Sequence, residues 1–177
     1  MSTFNEKSTT LTETGLFVKM AVSAWQTQNI RVDTLLKSLS DEELSAEIAP
    51  GKNTGTYLLG HLTAINDNLF ILFGFGEKLY PQLEKPFIIN ADKSGSVYPP
   101  SSDLRKYWTT VNEKLNAYIS KMEPSGWFTR HTSVSEEDFA KEPHRNKLNV
   151  LMNRTSHQSY HLGQMILLEK KANYLPK

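Results

Sequence analysis

Apolar residues recur every three or four positions along four long segments of this chain, and that period specifies helices. The first segment runs from about Thr14 to Leu39. Phe17, Met20 and Ala24 carry its apolar stripe at first, then Val32, Leu35, Leu36 and Leu39, with a change of phase near Asn29. "SLSDEELSAEI" follows, with Ser40 as an N-cap and Glu43 three residues later, a capping-box pattern that opens a short extra turn. "APGKNTG" is a loop. The second helix starts near Asn53 or Thr54 and runs to about Phe73, where Gly74 and Gly76 end it. The third begins at "PPSSDLRKYW", with Ser101 or Ser102 as its N-cap, and continues to about Met122, with Leu104, Trp108, Val111, Leu115, Tyr118 and Ile119 as its stripe. In the fourth, Pro143 suits the first turn and the pattern fades near Lys171.

Between the second and third helices, residues 77–100 are rich in Pro, Gly, Lys and Tyr and hold no sustained period. A connection of that length in a small domain is a covering or functional element. A second irregular stretch, "EPSGWFTRHTSVSEEDFAKEP", precedes the last helix. With 177 residues, the expected architecture is all-α: one domain over residues 1–177, built as a four-helix bundle.

Composition removes several functions. The chain contains no cysteine, so disulfides, a cysteine nucleophile and thiolate metal sites are excluded. A net charge of +1, from scattered lysines and arginines, provides no basic stripe for nucleic acid. "NLFILFGFG" is the longest apolar run and is too short to cross a bilayer, while the N-terminus lacks the apolar core of a secretory signal. A soluble cytoplasmic protein with no membrane contact is the expectation. Four helices of this length, with "NLFILF" apolar on nearly every side, also suggest a homodimer.

The informative polar residues are histidines. "RTSHQSYHLGQMILL" places His157 and His161 four residues apart on the last helix. With Leu148 at zero and ~100° per residue, His157 falls near ~180° and His161 near ~220°, beside Val150 and Leu168 at ~200°. Asn149, Asn153, Ser156 and Lys171 lie elsewhere. On the second helix, Tyr57, Leu58, Ile65, Asn68 and Leu72 lie within about 60° of His61. Three core-facing imidazoles on two helices admit two readings. They are buried polar residues with ordinary partners, or His61, His157 and His161 together hold a first-row divalent cation, with a position left open for water or substrate. His131 and His144 sit in or beside polar connections and read as surface residues. Trp25, Trp108 and Trp127 read as core. Gly163 reads as a point of close helix approach or access, and Gln164 as a supporting partner or boundary residue. Tyr57, Asn68 and Arg154 are further candidates to approach the site.

"LSDEELSAEIAPGKNTGTYLLGHL" and "HQSYHLGQM", in this order and at this separation, resemble the DinB-like (YfiT-like) family of metal-dependent proteins. The resemblance extends over nearly the whole chain. It implies a bundle of up-down-down-up topology, which accounts for the long connection between helices two and three. It also implies a metal site of His61, His157 and His161, with zinc or nickel as the ion, and a dimer. The activity implied is a thiol S-transferase that uses a low-molecular-weight thiol such as bacillithiol or mycothiol against an electrophilic substrate. A hydrolase using the same open position, and a non-catalytic metal-binding bundle acting as stabiliser or sensor, are the alternatives. The family name does not imply DNA binding.

Overall fold

The computed structural model describes residues 12–169. Among these, no strand is present, and the long helices are α1 (Glu13–Ser38), α3 (Gly55–Phe73), α4 (Ser101–Ile119) and α6 (Lys147–Met165). Two short ones, α2 (Asp41–Ser45) and α5 (Glu136–Lys141), lie in the connections. No described helix is long and apolar enough to cross a membrane.

Local chemistry starts and stops these helices where the side chains offer partners. The Ser40 hydroxyl accepts from the Glu43 amide and the Glu43 carboxylate accepts from the Ser40 amide, completing the capping box of α2. Thr54 caps α3, and Gly74 closes it in the left-handed conformation at φ 74°. Two long helices depart from the sequence pattern. Pro100, not Ser101 or Ser102, is the N-cap of α4, with no side-chain cap bond. Asn146 caps α6, so Pro143 lies outside the helix rather than in its first turn. An unpaired amide at Asn149 is satisfied by the Asn146 side chain, a stronger start signal than proline's fixed φ. At its other end α6 stops at Met165 and passes into a 3₁₀ turn, Ile166–Leu168. Lys171 is outside the described residues.

α3 is the central helix, packed on α4, α6 and the connection that follows it, while α1 packs on α6. Its neighbours bury Leu69, Phe70, Leu72 and Phe73, so "NLFILF" is covered within one chain. Trp25, Trp108 and Trp127 are all core residues. The first half of α1 is a correction: Phe17, Met20 and Ala24 are exposed, and Val18 and Trp25 face inward instead. Trp25 buries far more area than Ala24, and this decides the rotation of the helix.

One amide side chain from each long helix meets in the interior. Gln158 donates to Asn29 at 2.7 Å, while Asn66 donates to Asn112 at 2.9 Å and to Gln158 at 3.3 Å. These buried bonds tie the four helices to one relative register, with Asn29 Nδ2 left buried and without a partner among the described residues. α3 and α6 run antiparallel: Gly55 lies against Leu168, His61 against His161 and His157, and Asn66 against Gln158.

Residues 77–100 cover α3. Asp67, buried on α3, accepts the amides of Leu79 and Tyr80, both at 2.8 Å. Burial pushes its carboxyl above the usual range, against the pull of those two bonds. At the far end, Asp92 accepts from the Thr54 amide at 2.6 Å and from the Tyr98 hydroxyl at 2.9 Å. Between these anchors a π-helical turn, Lys85–Ile89, inserts Phe87 fully into the core. The Phe87 ring lies flat over Gly60, where a Cβ would come within 2.3 Å of Cε1. Gly60→Ala is therefore expected to destabilise by about 1–3 kcal/mol, the usual cost of overpacking. Urea denaturation measures this; an unchanged midpoint would show that Phe87 moves aside freely.

Candidate metal centre

His61 comes from the middle of α3, and His157 and His161 from consecutive turns of α6. The structure brings all three together, with their ligand-capable nitrogens within 4.8 Å of one another and each ring half-buried. Nε2 of His157 lies 3.2 Å from Nε2 of His61 and 3.1 Å from Nε2 of His161. A tetrahedral ion with ~2.0–2.1 Å bonds spaces its ligand nitrogens ~3.3 Å apart, so the cluster is already close to that shape.

The opposite ring nitrogens determine what faces the centre. Nδ1 of His61 is 2.7 Å from the Phe87 carbonyl, which can only accept, so Nδ1 carries the proton and Nε2 presents its lone pair. Nδ1 of His161 is 2.8 Å from the Gln164 side-chain oxygen, whose amide nitrogen donates to the Tyr160 hydroxyl at 3.1 Å. That ring therefore also turns a lone pair inward. Such carbonyl support of a histidine is the usual outer shell of a metal site. Nδ1 of His157 is buried and has no partner.

Two inward lone pairs and a third nitrogen within hydrogen-bond distance make a cluster that can hold a metal ion. A proton is a poor alternative near neutral pH. Burial, and then the charges of His161, His61 and Arg154, hold His157 down at about 4. His61 is lowered by burial and by Arg154, and His161 by burial and by His61. The donor set fits a borderline divalent ion such as zinc or nickel, for which neutral imidazole is a suitable ligand.

These shifts have a consequence for the metal-free protein. A histidine whose folded pKa is depressed adds stability fully above its unfolded value of 6.5 and loses it as pH falls toward the folded value, about 4 for His157. The metal-free protein should therefore lose stability steadily between pH 6.5 and about 4, measured as a falling urea midpoint. A midpoint constant over that range would contradict neutral buried imidazoles.

The other candidates divide. Gln164 supports His161, as above. Tyr57 stacks on His61, with ring centroids 6.1 Å apart. Arg154 acts electrostatically on His61 and His157. Asn68 is half-buried on α3 and makes no described bond to the cluster. Gly163 is exposed with open space beside it, so no close helix approach requires it. His144 is exposed, but His131 is half-buried with a buried, unpartnered Nδ1, because Val134 tucks its loop against the core. Neither belongs to the cluster. The wheel also needs adjustment: the deepest face of α6 is Leu151, Gln158, Leu162 and Met165, and the histidines flank it by about 70–110°. Phe87 and Tyr160 carried no sequence signal, since one contributes a main-chain carbonyl and the other a hydroxyl that braces Gln164.

A cavity of about 550 Å³ lies elsewhere, between α1 and α4, lined by Asn29, Asp33, Trp108 and Asn112 among others. Comparison with curated proteins returns no significant match. A family model described as the DinB superfamily matches residues 24–165, which include the capping box of α2, all three histidines and the connection between α3 and α4. The chain belongs to the DinB superfamily.

Proposed function

We propose that this protein is a metal-dependent enzyme that activates the thiol of a small cosubstrate for transfer to an electrophile. The observation that carries the proposal is the convergence of three imidazole Nε2 atoms, two with their lone pairs turned inward, in a half-exposed setting. Among the described residues, no fourth histidine or carboxylate joins the cluster, whereas a structural site would be closed by one. His61, His157 and His161 would hold the ion, zinc or nickel. Bound there, it supplies Lewis acidity that brings a thiol's pKa toward neutral.

The chain's own residues set the geometry. The Phe87 carbonyl and Gln164 fix two ring orientations, and Tyr57 shields His61 from one side. All three rings are half-buried rather than sealed, which keeps the cluster within reach of solvent. The chain has no cysteine, so the thiol must arrive with the cosubstrate. Hydrolysis at the same position would be helped by a carboxylate to accept the proton of the attacking water. Among the described residues, no carboxylate shifts any of the three histidines. A thiol is the more acidic nucleophile and needs that help less. The same reading takes the four long helices as an up-down-down-up bundle, supported by the antiparallel α3 and α6 and by the long connection between α3 and α4.

Elemental analysis followed by a screen of small thiols against electrophiles tests the proposal. One ion per chain and thiol conjugation abolished by a chelator are expected. Full metal occupancy with no acceleration for any thiol would remove the transferase reading.

A further inference from the structure

Three neutral imidazoles bring no negative charge to a divalent cation. Among the described residues, the charged side chain outside the triad that shifts these histidines is itself a cation, Arg154, acting on His61 and His157. Arg154 precedes His157 by three residues and His161 by seven. On the helical wheel this sets it ~60° from the first and ~20° from the second, so it shares their side of α6.

Its bonding differs from that of the other partly buried arginines. Arg31 is exposed and unpaired among the described residues, but Arg105 donates to Asp41 and to the carbonyls of Leu36 and Leu39, Arg130 to the Val134 carbonyl and Glu136, and Arg145 to Glu142. Among the described residues, Arg154 makes no hydrogen bond and no ion pair. Its Nε is sealed from solvent without a partner. Its two terminal nitrogens also lack a protein partner but stay open to solvent, so the guanidinium presents a free fork on the histidines' side of α6. Burial lowers its pKa, yet a guanidinium remains charged at any physiological pH. A half-buried cation with its fork unpaired is open to an anionic ligand, and the neutral imidazoles beside it bring no negative charge to pair with it.

We infer that Arg154 anchors a carboxylate of the ligand whose other end reaches the three histidines, so that the site selects anionic substrates or thiols. The inference rests on the metal-site reading for where the other end binds. A guanidinium matches a carboxylate through two parallel hydrogen bonds, which adds orientation to attraction. The ligand's charge would also offset a site that otherwise accumulates positive charge alone.

Calorimetry on the zinc-loaded protein tests this with two matched pairs of probes. 3-Mercaptopropionate and 2-mercaptoethanol share a thiol and differ in carboxylate against hydroxyl. Succinate and succinamide lack the thiol and differ only in charge. The wild type should bind the carboxylate member of each pair about tenfold or more tightly, as a charge-assisted bond allows. R154Q should equalise both pairs while keeping one zinc per chain and an unchanged circular dichroism spectrum. R154K, which keeps the charge but not the fork, should retain part of the preference. A wild type that fails to discriminate, or an R154Q protein that discriminates equally well, overturns the inference. If the thiols bind no better than their sulfur-free counterparts while succinate still depends on Arg154, the thiol reading falls and the anion site stands. If no zinc is retained, the succinate pair on the metal-free protein still decides the role of Arg154.

Discussion

Replacing His157 with alanine is expected to abolish metal retention while leaving helix content unchanged. His157 is the middle imidazole of the cluster, within 3.2 Å of both other Nε2 atoms, so its removal leaves two nitrogens that no longer enclose a position. The loss of affinity should exceed the ~10–100-fold that follows removal of a mere supporting partner. Stability gives an independent readout. With ion at 100 times its dissociation constant, the wild type gains about 2.7 kcal/mol by linkage, or roughly 5–10 °C in Tm at this size. The alanine protein should gain nothing. Without metal the difference should shrink, because the removed His157 carries an unpartnered buried Nδ1, although its Nε2 is also the neighbour of the other two Nε2 atoms. His161→Ala should lose metal similarly, while His131→Ala should keep a full complement, since His131 is outside the cluster. Equal metal content in His157→Ala and wild-type protein would mean that the three imidazoles are ordinary core residues.

Phe87→Ala is expected to damage fold and site together. The ring is fully buried, seated on Gly60 and flanked by Tyr57 and Tyr98 with centroids 6.0 and 4.8 Å away. Truncating such a phenylalanine costs about 3–5 kcal/mol, or roughly 6–20 °C in Tm for a chain of this size. The main chain of the same residue holds His61 in its tautomer. Once the ring no longer pins the π-helical turn, that carbonyl drifts and metal affinity should fall by about 10–100-fold as well. Urea denaturation and competition with a chelator measure the two effects separately. Phe87→Leu, which refills most of the volume, should recover both in part. Lost stability with unaltered metal affinity would show that the turn serves packing alone.

Much of the candidate site was legible because its spacing is local. Two histidines four residues apart on a helix share a face whatever surrounds them, and His61 sits at mid-helix by the period of its neighbours. Gln164 was legible for the same reason, one turn from His161. The Phe87 carbonyl was not, because every residue has one and only the placement of a distant turn selects it. Nor was the exposure of Phe17 and Met20. An apolar stripe on α1 competes with a second stripe containing Val18 and Trp25, and the period alone does not rank them.

What this sequence determined by itself is therefore what a single helix determines: where helices start and stop at Ser40, Thr54 and Gly74, and which residues share a side. Those properties follow from a rise of ~1.5 Å and a turn of ~100° per residue, independent of the rest of the chain. It also excluded every use of a cysteine. Only the tertiary structure decided which helices meet, that α3 lies against α6 in antiparallel register, and that the buried amides of Asn29, Asn66, Asn112 and Gln158 interlock. Such pairings join residues as far apart as His61 and His157. They depend on the complementary burial of several surfaces at once, and no local period in the chain encodes that.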